Sequence, residues 1–462
     1  MNKSVVNPFF LLRIVSIYLS DVNRLWHIDF DKLKKYQDKS FSNVVKYAYT
    51  VPMYYKKYKE HGIHPRDITK IDDIKKLPLI SKDDLRKNYP DNIVPNGFNK
   101  NQGFRISTSG STGKPVFVYY DIFSAIKSLM AFVRELKAYG GIWNKSKVAM
   151  VVDTSVGSFE NAIFKSSASP FIKKFISLNN IKFIDIGEKP EDVIKKVDEF
   201  KPDFLGSDPN MLLKLSYLKN HGFGKNIKPI HVFSGGAMLD GYTRSYVENA
   251  FGTKVFDTYG TTEAGPIAFE CIKSGYYHVH SDFVYLEVLD KEGQDVGYDE
   301  SGKIVTTKLF IGGTPIIRYT GFDDFVKIVD KKTSCGINSQ IIKQIEGRYT
   351  DLFVLPDGHI LSPLTVTGIP AKIMDDFQTY KIKQFQIIQN KIDEIEILVV
   401  IDERLRNVGP SVKNILNELK VRFSKNIGHG VNILVHEVDS IEKEGSQEYF
   451  KVVISKVKPK LN

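Results

Sequence analysis

The spacing of apolar residues changes character three times along the chain. Over residues 1–100 it is helical, as in the stretch Phe41-Ser42-Asn43-Val44-Val45-Lys46-Tyr47-Ala48-Tyr49. The run Ile71-Asp72-Asp73-Ile74-Lys75-Lys76-Leu77 halts at Pro78, a residue that stops helices. Ser81 then offers a cap to the next helix, with Asp84 at the capping-box position three places on. From about residue 100, short continuous apolar runs alternate with helical ones. Lys147–Val152, Ile181–Ile186, Phe204–Ser207 and Ile230–Ser234 read as strands, and Asp192–Phe200 as a helix. That alternation implies a mainly parallel sheet covered by helices on both faces. After about 280 the texture turns β-rich, with Val284–Leu289 and Gly302–Thr307 as strands. Glu394–Val400 and a helix near Val412–Phe423 mark a small α+β unit at the end. The predicted fold class is α/β. A large domain, 1–346, has a helical leading segment, 1–100, and a β-rich subdomain; a small α+β domain follows over 347–462.

Composition removes several classes. With 42% hydrophobic and 26% charged residues, the 462-residue chain is ordinary for a globular protein. The net charge of +11 favours anionic partners, but the lysines are spread, and runs such as Lys56-Lys57-Tyr58-Lys59 read as solvated helix faces. No nucleic-acid-binding module is recognisable. Two cysteines, Cys271 and Cys335, make no disulfide framework, which fits a reducing cytoplasm. Phe9–Leu19 is apolar but interrupted by Arg13 and Ser16, and it is shorter than the roughly 20 residues a membrane span needs. It reads as an amphipathic helix packed on the main domain, with attachment to a membrane surface as the alternative. Neither a signal peptide nor a transmembrane segment is expected.

The stretch Ser107-Thr108-Ser109-Gly110-Ser111-Thr112-Gly113-Lys114-Pro115 carries the strongest chemistry. Glycines let backbone approach an anion, hydroxyls and amides supply donors, and Lys114 adds a mobile charge suited to a polyphosphate. A Walker A loop would need a hydroxyl residue after the lysine and a helix behind it. Pro115 and the strand-like Val116–Tyr120 exclude that reading.

This loop resembles the phosphate-binding motif of the adenylate-forming enzymes, and the segment Ile71–Lys82 is similar to their phenylacetate–coenzyme A ligase branch, which includes relatives associated with capsular polysaccharide synthesis. The resemblance spans most of the chain and weakens after about 350. It implies ATP-dependent activation of a carboxylic acid, with coenzyme A as the acyl acceptor. Asp257-Thr258-Tyr259-Gly260-Thr261-Thr262-Glu263 resembles the family's second motif. By that likeness Thr262 meets the α-phosphate, Glu263 binds Mg²⁺, and Tyr259 lies against adenine beside Gly260 and Thr261. Ser234-Gly235-Gly236-Ala237 resembles the adenine loop. Pro315–Asp323 resembles a motif whose aspartate, here Asp323, binds the ribose hydroxyls, with Asp324 as a competitor. Gly347-Arg348-Tyr349-Thr350-Asp351 resembles the hinge that swings the C-terminal domain, with Arg348 reaching ribose or phosphate.

Two departures matter. The family places a C-terminal lysine after glycine, but this chain has Ser446 after Gly445, flanked by Lys443 and Lys451; Lys451 is the chosen substitute. Some relatives also carry a structural zinc on a Cys…His…Cys-x-Cys set. Cys271, His278 and Cys335 match it, Thr333 replaces one cysteine, and His280 is a candidate fourth ligand. Buried free thiols and surface histidines are the competing reading. For function, the competitors are an amide ligase with an amine acceptor in surface polysaccharide synthesis and a non-catalytic nucleotide- or acyl-binding relative. Phe159, Tyr242 and Phe269 are candidate acyl-pocket residues; the acid itself and the oligomeric state are not readable.

Overall fold

The computed structural model describes residues 8–101, 103–107, 115–155, 158, 161, 180–290, 292–322, 324–348, 353–358, 360–361, 364–379, 381–428, 430–441 and 452–457; within these, the side chains of 8–14, 347–348, 360 and 364–365 are not described.

The chain opens with helices α1 (Pro8–Asp21), α2 (Arg24–His27), α3 (Phe30–Ala48), α4 (Pro52–Glu60) and α5 (Lys82–Asn88). The expected cap forms at α5: the Asp84 amide donates to Ser81 Oγ at 3.2 Å, and the Ser81 amide donates to Asp84 Oδ2 at 2.8 Å. Ile71–Lys76 winds as a 3-10 helix and ends two residues before Pro78. Along α1, Ile17 and Tyr18 pack on the main core while Val15 and Leu19 stay exposed. Among the described residues no helix is long and apolar enough to cross a membrane.

A hairpin follows, β1 (Phe104–Ser107) antiparallel to β2 (Phe117–Tyr120), and then helix α6 (Ile122–Ala138). The αβ region contains β3 (Val148–Val152), β4 (Ile181–Asp185), α7 (Pro190–Phe200), β5 (Phe204–Ser207), α8 (Pro209–Asn220), β6 (His231–Gly235), α9 (Gly241–Phe251) and β7 (Val255–Thr261). The chain then turns antiparallel through β8 (Gly265–Glu270), β9 (Tyr277–Val279), β10 (Val284–Leu289), β11 (Ser301–Lys308), β12 (Asp324–Val329) and β13 (Ile341–Arg348). One eleven-stranded sheet holds them in the order β10-β11-β12-β13-β9-β8-β7-β6-β5-β3-β4. Only β4, β3, β5, β6 and β7 run parallel, so the β-rich stretch is a continuation of the same sheet.

The C-terminal part starts with the small hairpin β14 (Phe353–Val354) and β15 (Ile360–Leu361), then helices α10 (Leu364–Thr367) and α11 (Ile369–Asp376). Its sheet comprises β16 (Ile382–Lys391), β17 (Glu394–Ile401), β18 (Asn432–Glu437) and β19 (Val453–Ser455), with helix α12 (Val412–Ile427) laid on it. Ile415, Leu419 and Phe423 of α12 recur at helical spacing, and all three are buried with Ile387, Ile395 and Ile397.

A buried ionic cluster ties the leading helices to the sheet. Arg134 of α6 donates to both Asp282 oxygens at 2.8 and 2.7 Å, and Arg24 reaches Asp282 at 3.0 Å. Each cation neutralises a carboxylate that burial would otherwise protonate: burial pushes Asp282 up, but Arg134, Arg24 and His280 together hold it below its ordinary range.

Candidate active site and metal cluster

The loop Thr108, Ser109, Gly110, Ser111, Thr112, Gly113 and Lys114 lies outside the described residues. Its flanks fix where it starts and ends: Ser107 closes β1 and pairs with Phe117 of β2. The loop therefore joins two antiparallel strands, with no helix directly after it, as the exclusion of a Walker A motif requires.

That hairpin is attached to the second motif by Tyr120. Its ring is fully buried, and its hydroxyl donates to the carbonyls of Thr262 and Glu263 at 3.3 and 3.2 Å. Two motifs more than 140 residues apart meet here through one side chain. Glu263 itself is 4% exposed, and its Oε1 accepts from the Tyr319 hydroxyl at 2.9 Å. The turn carrying it is tight. Thr261 Oγ1 accepts from the Ala264 amide at 3.1 Å, and a Cβ on Gly260 would stand 2.9 Å from the Gly265 carbonyl oxygen.

At the end of β6 two glycines, Gly235 and Gly236, leave the backbone without side chains. Gly235 faces Thr258, where an added Cβ would lie 2.6 Å from Oγ1. Gly236 takes φ +80°, and nothing lies within 4 Å of where its Cβ would be; Ala237 beside it is exposed. Tyr259 borders this region and donates to Asp324 Oδ2 at 2.7 Å. Asp324, the competitor to Asp323, is thus engaged by a tyrosine; Asp323 lies outside the described residues. Arg348 ends β13 opposite Asp324. Asp257 of β7 is buried and accepts from Tyr277 at 2.8 Å. Burial pushes its carboxyl up to about 7, with Glu270 adding to the shift and Tyr277 and Arg244 opposing it. Lys443, Ser446 and Lys451 lie outside the described residues; β19, just beyond Lys451, pairs with β16. Phe159 also lies outside them. Phe269 is fully buried against Tyr139 and His280, and Tyr242 packs on the C-terminal core.

The sulfur and imidazole ligands cluster. One ligand atom each from Cys271, His278 and Cys335 lies within 4.8 Å of the others. Cys335 Sγ is 3.0 Å from His278 Nε2, while His278 Nδ1 is 2.9 Å from Ser339 Oγ. Thr333 lies beside the cluster: its Oγ1 is 2.9 Å from Cys335 Sγ and 3.3 Å from His278 Nε2. Burial pushes the Cys271 thiol up, but hydrogen bonds from His278 and Ser274 outweigh it and hold the group at about 6. Burial raises Cys335. Zinc bound at about 2.0–2.3 Å from nitrogen and sulfur tetrahedrally would hold its ligands within 4 Å of one another, so this donor set fits the ion after small adjustments. His280 does not belong to the set. Its Nε2 is 2.9 Å from Glu135 Oε1 and its Nδ1 3.0 Å from Arg134 Nη1, so both ring nitrogens are already engaged. Burial lowers its pKa, which keeps the ring neutral between those charges.

Comparison with known proteins agrees with this geometry. A model for AMP-binding enzymes matches residues 103–311, and one for the CapK C-terminal domain matches 362–456. Protein CapK of Staphylococcus aureus is 25% identical over 429 residues, covering 90% of this chain and 89% of that protein. A phenylacetate–coenzyme A ligase of Pseudomonas putida is 24% identical over 426 residues, covering 89% and 92%. The crystal structure of 2-hydroxyisobutyryl-CoA ligase in the postadenylation state with R3-HIB-AMP superposes with a TM-score of 0.72 at 20% identity, covering 93% of this chain and 90% of that one. Residues 103–311 thus form an AMP-binding enzyme domain and residues 362–456 a CapK C-terminal domain, and the chain as a whole is similar to CapK and to the phenylacetate–coenzyme A ligases.

Proposed function

We infer that the protein activates a carboxylic acid with ATP and passes the acyl group to coenzyme A. The observation that carries this reading is the union of the loop-bearing hairpin with Thr262 and Glu263 through the Tyr120 hydroxyl. In the first step a carboxylate oxygen bonds to the α-phosphorus and pyrophosphate leaves. In the second the coenzyme A sulfur attacks the acyl carbon, the bond to AMP breaks, and the thiol proton goes to solvent or a base.

Within this reading, Ser107 to Lys114 hold the departing pyrophosphate, and Gly235, Gly236, Ala237 and Tyr259 frame adenine. Gly260 and Thr261 shape the turn that presents Thr262 to the α-phosphate. Asp323 and Arg348 serve the ribose side. Glu263, a buried carboxylate, is the group suited to hold Mg²⁺, a hard cation that prefers oxygen ligands and neutralises phosphate charge when bound. Residues 347–462 act as the mobile domain, with Lys451 as its cation. The Cys271, His278, Cys335 cluster is proposed as a structural zinc site away from the reaction. A cytoplasmic location is proposed on the two free cysteines. A second reading keeps the adenylation step and takes an amine as acyl acceptor in place of the thiol.

Screening carboxylic acids for ATP–pyrophosphate exchange tests the reading. At least one acid should support exchange, and Glu263→Gln should reduce it by about a hundredfold or more while circular dichroism stays unchanged. Exchange by Glu263→Gln at the wild-type rate would remove Glu263 from the reaction.

A further inference from the structure

We propose that Tyr319 is a positioning residue that fixes the Glu263 carboxylate for its cation, an inference resting on the adenylation reading above. The two residues are 56 positions apart, Glu263 in the turn between β7 and β8 and Tyr319 in the segment between β11 and β12, yet the tyrosine hydroxyl donates to Glu263 Oε1 at 2.9 Å with both side chains buried. A carboxylate on a turn has two soft torsions. One hydrogen bond from a rigid donor selects a rotamer and orients the remaining lone pairs.

The donor is held on all sides. Arg318, directly before it, adopts φ +46°, a left-handed conformation that costs a non-glycine residue energy. A bidentate pair with buried Glu287, at 2.8 and 3.1 Å, and a bond to the Leu77 carbonyl at 2.6 Å sustain that conformation. Tyr319 exchanges backbone hydrogen bonds with Thr306 at 3.0 and 3.1 Å, and its neighbours Arg318 and Thr320 do so with Ile80. Its ring then lies edge-on to Phe322 and over Gly321. A Cβ at position 321 would stand 2.2 Å from the ring carbon bearing the hydroxyl and 2.2 Å from the hydroxyl oxygen, so only glycine leaves this place for the phenol. Backbone strain, a buried ion pair and a glycine converge on one hydroxyl, and that hydroxyl ends on Glu263. A phenylalanine would satisfy the packing equally well; the hydroxyl is what the packing does not require.

The test separates orientation of Glu263 from support of the fold. Tyr319→Phe keeps the ring, so its thermal midpoint without ligands should lie within a few degrees of wild type. Binding of Mn²⁺ to the protein–ATP complex, followed by the loss of the free-ion electron paramagnetic resonance signal, should weaken by about tenfold, the scale of one hydrogen bond to a charged group. The Mg²⁺ concentration giving half-maximal exchange should rise by a similar factor, and rate at saturating Mg²⁺ should recover to within about twofold. Gly321→Ala should weaken Mn²⁺ binding in the same direction. A Tyr319→Phe protein whose Mn²⁺ titration superimposes on wild type overturns the proposal. A wild type that binds Mn²⁺–ATP but exchanges pyrophosphate with no acid removes the adenylation reading, while the Mn²⁺ titration of the variant still decides the role of Tyr319.

Discussion

Replacing Lys308 with methionine should stabilise the protein most at neutral pH and progressively less toward pH 10. Lys308 closes β11 and is 1% exposed. Its Nζ has no hydrogen-bond partner among the described residues; it rests on the faces of Tyr120 at 4.2 Å and Phe310 at 4.7 Å. Burial pushes the ammonium down from 10.5 to about 7, with Asp121 opposing the shift. In the unfolded chain the group keeps its proton up to about 10.5. Between the two values the unfolded state binds more protons, so this site makes stability rise with pH. The fall from 10.5 to about 7 amounts to roughly 5 kcal/mol of cost below pH 7. Loss of the ring contacts in the variant returns about 1–2 kcal/mol of that, which leaves Lys308→Met ahead by about 3 kcal/mol at pH 7. Denaturant midpoints of both proteins at pH 7, 8.5 and 10 measure the difference directly. A variant less stable than wild type at pH 7, or an advantage that does not shrink by pH 10, would refute the reasoning.

Two further outcomes follow from the departures at the metal cluster and the C-terminal lysine. Protein purified without chelators should carry about one zinc per chain, and because Thr333 offers only a hydroxyl where a thiolate would bind more strongly, Thr333→Cys should retain zinc at a chelator concentration that strips wild type; elemental analysis reads both, and zinc-free wild type sinks the site. Lys451→Ala should slow adenylate formation more than thioester formation from added acyl-adenylate, whereas Lys443→Ala should leave both unchanged; single-turnover measurements decide, and wild-type behaviour of Lys451→Ala would show that this lysine takes no part.

Features set by local chemistry were legible in the sequence. The expected strand over Lys147–Val152 is observed at Val148–Val152, the helix over Asp192–Phe200 at Pro190–Phe200, and the Ser81–Asp84 capping box forms as its spacing requires. The helix at Val412 runs on to Ile427 because Phe423 and Ile427 continue the buried stripe to Gly428. What the spacing hid was partnership across the sheet. Residues 280–348 have the texture of a separate β unit, yet β9 bonds β8 on one side and β13 on the other, joining them to the parallel strands. His280 resembles a zinc ligand in one dimension, but Glu135 and Arg134, about 145 positions away, take both its nitrogens. Thr333, which stands where the resemblance expects a cysteine, hydrogen-bonds both His278 and Cys335. Tyr319 lies within the Pro315–Asp323 motif, but its partner Glu263 belongs to another motif, and only the folded chain brings them together.

Acyl-adenylate formation is the central claim, and oxygen transfer tests it most directly. An acid found by the exchange screen, labelled with ¹⁸O in its carboxylate, is turned over with ATP, Mg²⁺ and coenzyme A, and the AMP produced is examined by mass spectrometry. Attack of the carboxylate on the α-phosphorus, followed by cleavage between the acyl carbon and that oxygen, delivers one ¹⁸O to each AMP. AMP free of ¹⁸O, or ADP as the nucleotide product, would contradict the account.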